Sequence, residues 1–212
     1  MIASRPDDWR DRSLVRRVHA WNARVLGVFL VAHLVNHLFL TAGPDVHWSV
    51  MEPLRVIYRN GMVEPLLIGL FIVQIVAGLW LARRNWRPDS GWARAQVISG
   101  LVIAFFLVQH IAATLYVRNA YETIDTNAWW ALSVVTPVLL ATYFVPYYFA
   151  AVTALGVHIA SALHFRGIGA ARPIAFASPV LAAVIVGSML FHAQTNTLPP
   201  AYQDYLSGMF GL

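Results

Sequence analysis

Apolar residues in this chain come in long runs, without the alternation of half-buried strands or the single stripe of soluble amphipathic helices. Five runs stand out, over residues 25–41, 62–82, 95–117, 130–165 and 173–194. A helix of about 20 apolar residues crosses the hydrocarbon layer of a bilayer, so the pattern predicts five membrane-spanning helices. The fourth run is too long for one straight span. Pro137 and Pro146 are expected to break off an interfacial piece carrying Trp129 and Trp130 before the span begins. Between the first two runs, the stretch HWSVMEPLRVIYRN sets Val50, Leu54 and Ile57 against Arg55 and Arg59. That reads as a short helix lying in the membrane surface, with an ordinary loop as the alternative. The expected fold is an all-α membrane protein: a transmembrane bundle over residues 25–195, a basic segment over 1–24 and a tail over 196–212.

Composition agrees. Hydrophobic residues make up 58% of the 212 and charged residues 12%, against roughly 25% charged in a soluble domain. Lipid is therefore a partner, and little chain is left for a soluble domain. There is no cysteine, so disulfides, cysteine-ligated clusters and thiolate chemistry are excluded. All 15 basic residues are arginine, and against 10 acidic residues they leave a net charge of +5. Its distribution reads as topology and not as a nucleic-acid surface. Twelve arginines precede the first span or join spans two to three and four to five; only Arg55, Arg59 and Arg118 lie on the other side. By the positive-inside rule the N-terminus is cytoplasmic and the tail extracytoplasmic, in what is expected to be a bacterial inner membrane. The N-terminus lacks the short apolar core and small-residue cleavage site of a signal peptide. Phosphate loops, nucleophile elbows and H-E-x-x-H runs are absent from the sequence.

The polar residues inside the spans carry the functional signal. Spans one and three align as LVAHL over LVQHI, which superimposes His33 on His110. Spans two and four align as VQIVAGLWLARR over VHIASALHFRG, which puts Gln74 on His158. The chain thus reads as a tandem helix-pair repeat plus a fifth helix, with both pairs in the same direction. His33 lies eight residues before Thr41 and His110 eight before Arg118, so each sits about 12 Å below the outer end of its span. Gln74 and His158 define a second level nearer the other end.

Ionisable residues within a bilayer are costly and mark function by default. Two histidines at one depth on different helices suit bis-histidine haem, with His33 and His110 on the iron. Zinc would need three or four protein ligands, and no third is evident at that level. Interhelical hydrogen bonding and an ion or proton pathway are the other readings. His37, one turn above His33, could ligate in its place or bond a haem propionate or a quinone. Gln74 and His158 form either a hydrogen-bonded pair or a second haem site that lacks one ring. His19, His47, His164 and His192, at or beyond span ends, are expected to be interfacial and solvated.

At these residues the chain resembles the membrane cytochrome b subunit of succinate dehydrogenase and fumarate reductase, in its five-helix form. VLGVFLVAHLVNH and AQVISGLVIAFFLVQH resemble that family's first and third helices. The resemblance implies haem b (one or two), quinone as substrate, and cytoplasmic flavoprotein and iron–sulfur subunits as partners. It implies His33 and His110 as ligands of the outer haem. Where di-haem members carry the second-helix ligand, this chain has Gln74. MEPLRVIYRNGMVEPLL is more similar to standalone relatives that work without a flavoprotein. Quinone chemistry moves protons, and Glu64, at the outer start of span two, is the candidate acid; a carboxylate favourable at a helix N-terminus is the alternative. Arg55, Arg59 and Arg118 could pair with haem propionates or anchor the interface.

Overall fold

A backbone inside a bilayer must satisfy its own hydrogen bonds, and each apolar run does so as a helix. The computed structural model describes residues 8–211, with side chains from residue 14 onward. The expectations for residues 1–7, and for the side chains of Arg5, Arg10 and Arg12, lie outside the described residues. The elements are α1 (Asp8–Phe39), a single 3-10 turn (Leu40–Ala42), α2 (Pro44–Tyr58), α3 (Val63–Arg84), α4 (Gly91–Ala120), α5 (Ala128–Ser133), α6 (Val138–His164), α7 (Ala171–Thr195) and α8 (Pro200–Phe210). Five of them, α1, α3, α4, α6 and α7, are long and apolar enough to cross a membrane. Each packs on the next, and α7 returns to touch α1, so the five form a closed ring. The closest approach joins α6 to α7, where a side chain on Gly156 would overlap Ser178, the small-residue packing usual between membrane helices.

The outward faces of the ring are apolar and exposed, including Val28, Val31, Ile72, Phe105 and Phe176. Such surface suits contact with lipid, and many buried positions in α6 and α7 are small or polar: Ala154, Ala160, Ser161, Ser178 and Ala182. The largest buried apolar cluster lies at the end away from the arginine-rich turns. There Leu40, Val117, Leu132, Met189 and Tyr205 pack together beneath α5 and α8.

Two boundaries differ from expectation. Helix α1 already runs from Asp8, the first described residue, and does not start near residue 25, so the basic segment is helical from there on and continuous with the first span. Arg16, Arg17 and Arg24 break the apolar run without breaking the helix, because arginine is a good helix former. Pro137 does end the α5 region, as the N-cap of α6, but Pro146 lies inside α6. A proline is tolerated in a packed membrane helix because neighbouring groups satisfy the freed carbonyl. The tail is ordered as α8, which buries Tyr202, Tyr205 and Leu206. The stretch after span one is the helix α2, with Pro44 in its first turn and Gly43 supplying the positive φ of 121° that turns the chain into it.

Candidate functional site

The fold brings four histidines together beneath α2. His33 on α1 and His110 on α4 meet edge to face, with ring centroids 6.2 Å apart and planes at 66°. The repeat that aligned them extends further than expected, to FLVAH and FLVQH. Residues four apart stack on a helix face. Phe29 accordingly stacks on His33 at 5.4 Å, and Phe106 on His110 at 5.0 Å. Each imidazole is thereby fixed by an aromatic ring one turn below it. The two phenylalanines were one residue beyond the matched pentapeptides and escaped the sequence reading.

His37 lies with its Nε2 3.2 Å from Nε2 of His33, the expected neighbour one turn above. Its ring is also 5.5 Å from that of His47 on α2. His47 is not solvated as expected: it is only 2% exposed, and its Nε2 lies 3.0 Å from the Asn36 amide nitrogen. The reason is that α2 folds down onto α1 rather than lying free at the surface. Burial first, then the nearby His33 and Arg55, pushes His47 down to about 4. A buried histidine that must stay neutral contributes stability above its unfolded value of about 6.5. That contribution is lost as pH falls toward 4. Thermal unfolding in detergent is therefore expected to weaken between pH 6.5 and 4 in the parent protein, with a shallower slope in His47→Gln.

An apolar cavity of about 270 Å³ opens beside these rings. His33, His37, His47 and His110 line it, together with Phe29, Phe71, Phe106 and Tyr148; Arg59, Glu64 and Arg118 stand along the same wall. Glu64, in the first turn of α3, receives two hydrogen bonds from Arg118 near the end of α4, the second at 3.2 Å. Each charge sits at the helix end whose dipole favours it, so the alternative reading of Glu64 holds in part: it is both a helix-terminal carboxylate and a cavity group.

Arg55 serves a different purpose from Arg59. Its side chain is 8% exposed and donates to both carboxylate oxygens of Asp125, at 2.7 and 2.6 Å, and to the Thr126 carbonyl at 3.1 Å. Burial alone would lower the Arg55 guanidinium, but its bonds to Asp125 raise it above the ordinary value. Burial would likewise raise Asp125, but Arg55 and then Arg59 hold it below the usual carboxylate range. The Tyr202 hydroxyl from α8 donates to the Asp125 carbonyl at 2.9 Å and closes the same junction. Arg55 is thus committed to a buried pair that fastens α2 over the cavity. Arg59 donates to the Thr126 hydroxyl at 2.7 Å and reaches Asp125 only at 3.6 Å, leaving it on the cavity wall.

At the arginine-rich end, the expected Gln74–His158 pair is not formed. Gln74 lies 3.2 Å from Nε2 of His19 and accepts from the Asn22 amide at 2.9 Å. His158 faces α4, with Nδ1 3.1 Å from the Gln96 carbonyl and 3.3 Å from Ser99 Oγ. His19 is therefore inside the bundle, not interfacial as expected, because α1 continues helically below residue 25. Its ring stands 6.3 Å from that of His158. His164 stacks on Trp92 at 4.6 Å near the helix end. The Nδ1 atom of His192 lies 3.3 Å from the Asn196 amide nitrogen.

Among the described residues, no group of three or more histidine, cysteine or acidic side chains is arranged to hold a metal ion. Against known families, curated proteins and solved structures, the chain finds no match.

Proposed function

We propose that the chain is a haem-b membrane cytochrome that exchanges electrons with a quinone, as the membrane anchor of a succinate- or fumarate:quinone oxidoreductase-type complex. The single observation that carries this reading is the His33–His110 pair on the wall of an apolar cavity. Metal–imidazole bonds are about 2.0–2.1 Å. The nitrogen of a five-membered ring with bonds near 1.35 Å lies roughly 1.15 Å from its centre. Two imidazoles on opposite sides of one metal are then about 6.3–6.5 Å apart between centres, and the observed separation is 6.2 Å. The apolar wall suits a flat macrocycle between packed helices.

His33 and His110 would hold the iron, with Phe29 and Phe106 fixing their ring planes. Bound there, haem would supply one-electron redox chemistry, and the two histidines and the local dielectric would set its potential. His37 touches His33 at Nε2, so it would orient that ring with Nδ1 of His33 as the nitrogen on the iron. Arg59 and Arg118 offer positive charge to anionic groups at the cavity wall. Glu64 is the carboxylate placed to give or take the proton that accompanies quinone chemistry. The arginine-rich end is read as cytoplasmic and is where flavoprotein and iron–sulfur subunits would dock.

Anaerobic addition of a short-chain quinol to the purified, haem-loaded protein tests this. The haem absorbance is expected to become that of the reduced form. Glu64→Gln is expected to slow this step about 100-fold, at the lower end of what a positioned proton-transfer group contributes. Loaded protein that stays oxidised with excess quinol of lower potential would contradict the quinone assignment.

A further inference from the structure

The second histidine pair is arranged like the first. We propose that His19 and His158 are the axial ligands of a second haem at the arginine-rich end of the bundle. This rests on the reading of the chain as a haem cytochrome, and it assigns a ligand that neither the repeat nor the resemblance supplied. His19 and His33 are fourteen residues apart on α1, just under four turns, so they share a face and stand about 21 Å apart along the axis. Their partners, His158 and His110, come from α6 and α4. The centroid separations are 6.3 Å and 6.2 Å, both close to the roughly 6.3–6.5 Å that two imidazoles on opposite sides of one metal require.

The hydrogen bonds prepare the rings for ligation. A backbone carbonyl only accepts, so the 3.1 Å contact with Gln96 puts the proton of His158 on Nδ1 and leaves the lone pair on Nε2. That is the form in which histidine binds a metal while a carbonyl holds its other nitrogen. In His19, Nε2 is held by Gln74 and Nδ1 is buried without a partner. A buried polar atom left unpaired is costly, and a metal would remove the deficit. Turning the Gln74 amide over would present its oxygen to Nε2 of His19, exchanging the bond it accepts from Asn22 Nδ2 for one from the ring, while Asn22 keeps its 2.7 Å bond to the Leu70 carbonyl. Gln74 thus becomes the residue that positions His19, in place of being a missing ligand.

Two glycines seat the rings. A Cβ on Gly78 would come within 3.3 Å of His19 Cε1, and one on Gly100 within 3.1 Å of His158 Cε1. A bare metal ion is a poor occupant, because zinc sites draw three or four ligands from the protein and no such group exists among the described residues. A porphyrin brings the other four positions with it.

The test is haem-to-protein stoichiometry and redox titration of the purified full chain. The expected ratio is two for the parent protein, and one for His19→Ala and for His158→Ala. Each of these variants should keep the haem that His110→Ala loses, which also shows that it is folded. His19→Met should keep both haems and raise the potential of one, since methionine ligation raises haem potentials. A ratio of one, lost in His110→Ala and retained in His19→Ala, would overturn the second site while leaving the proposed function standing. A ratio of two unchanged by both alanine variants would overturn it as well. A parent protein without haem would sink both.

Discussion

His33→Ala and His110→Ala are each expected to abolish haem at the level beneath α2. Under the proposed assignment, either change would remove one of the two iron ligands, and it leaves a hole beside its stacked phenylalanine. The imidazole left behind would be buried opposite a vacancy, and in the His33 variant the nearest nitrogen is that of His37, one turn away. The haem-to-protein ratio of each variant should fall by one whole equivalent relative to the parent, read from the visible spectrum of detergent-purified protein. His37→Ala should retain that haem with about 10-fold weaker affinity, as for loss of a group that orients a metal ligand. Should His37→Ala lose the haem and His33→Ala keep it, the ligand would be one turn higher than assigned.

The second large effect concerns the fastening of α2. Arg55→Ala leaves the Asp125 carboxylate facing a junction built for a cation, and releases α2 from the loop before α5. Removing one partner of a buried ion pair costs about 3–5 kcal/mol. Asp125 is a third exposed, so screening reduces the expected loss to about 2–3 kcal/mol. Arg55→Met with Asp125→Leu should be milder than either single change, because no unpaired charge remains. Equilibrium unfolding of the four proteins in one detergent reads the coupling. Additive losses would mean that the pair is merely a surface contact. The sign of the pH dependence follows from the depressed carboxylate. The stabilisation is complete above the ordinary value near 3.8 and is lost as pH falls toward the folded value.

Hydropathy located the five spans to within a few residues at most ends, because the bilayer imposes both their length and their helicity. It failed at the start of α1, where arginines interrupt the apolar run. Long arginine side chains can keep their charge at the interface while the helix below them stays buried. That failure hid His19 and Asn22, which face Gln74 inside the bundle. The His33–His110 pair was legible because a repeat and a depth could both be read along one dimension. His47 was not, since nothing in its neighbours says that α2 folds down onto α1. Nor was the Arg55–Asp125–Tyr202 junction, whose members are 70 and 77 residues apart in sequence. Contacts of that range depend on how helices close into a ring, which hydropathy does not encode.

The most direct measurement is the visible and paramagnetic-resonance spectrum of the purified full chain, oxidised and then reduced, with and without carbon monoxide. Two histidines on one iron leave no open position. The account predicts a reduced-minus-oxidised haem-b signal, a low-spin ferric resonance, and no change on adding carbon monoxide. Protein without haem, or a high-spin haem that binds carbon monoxide, would contradict it.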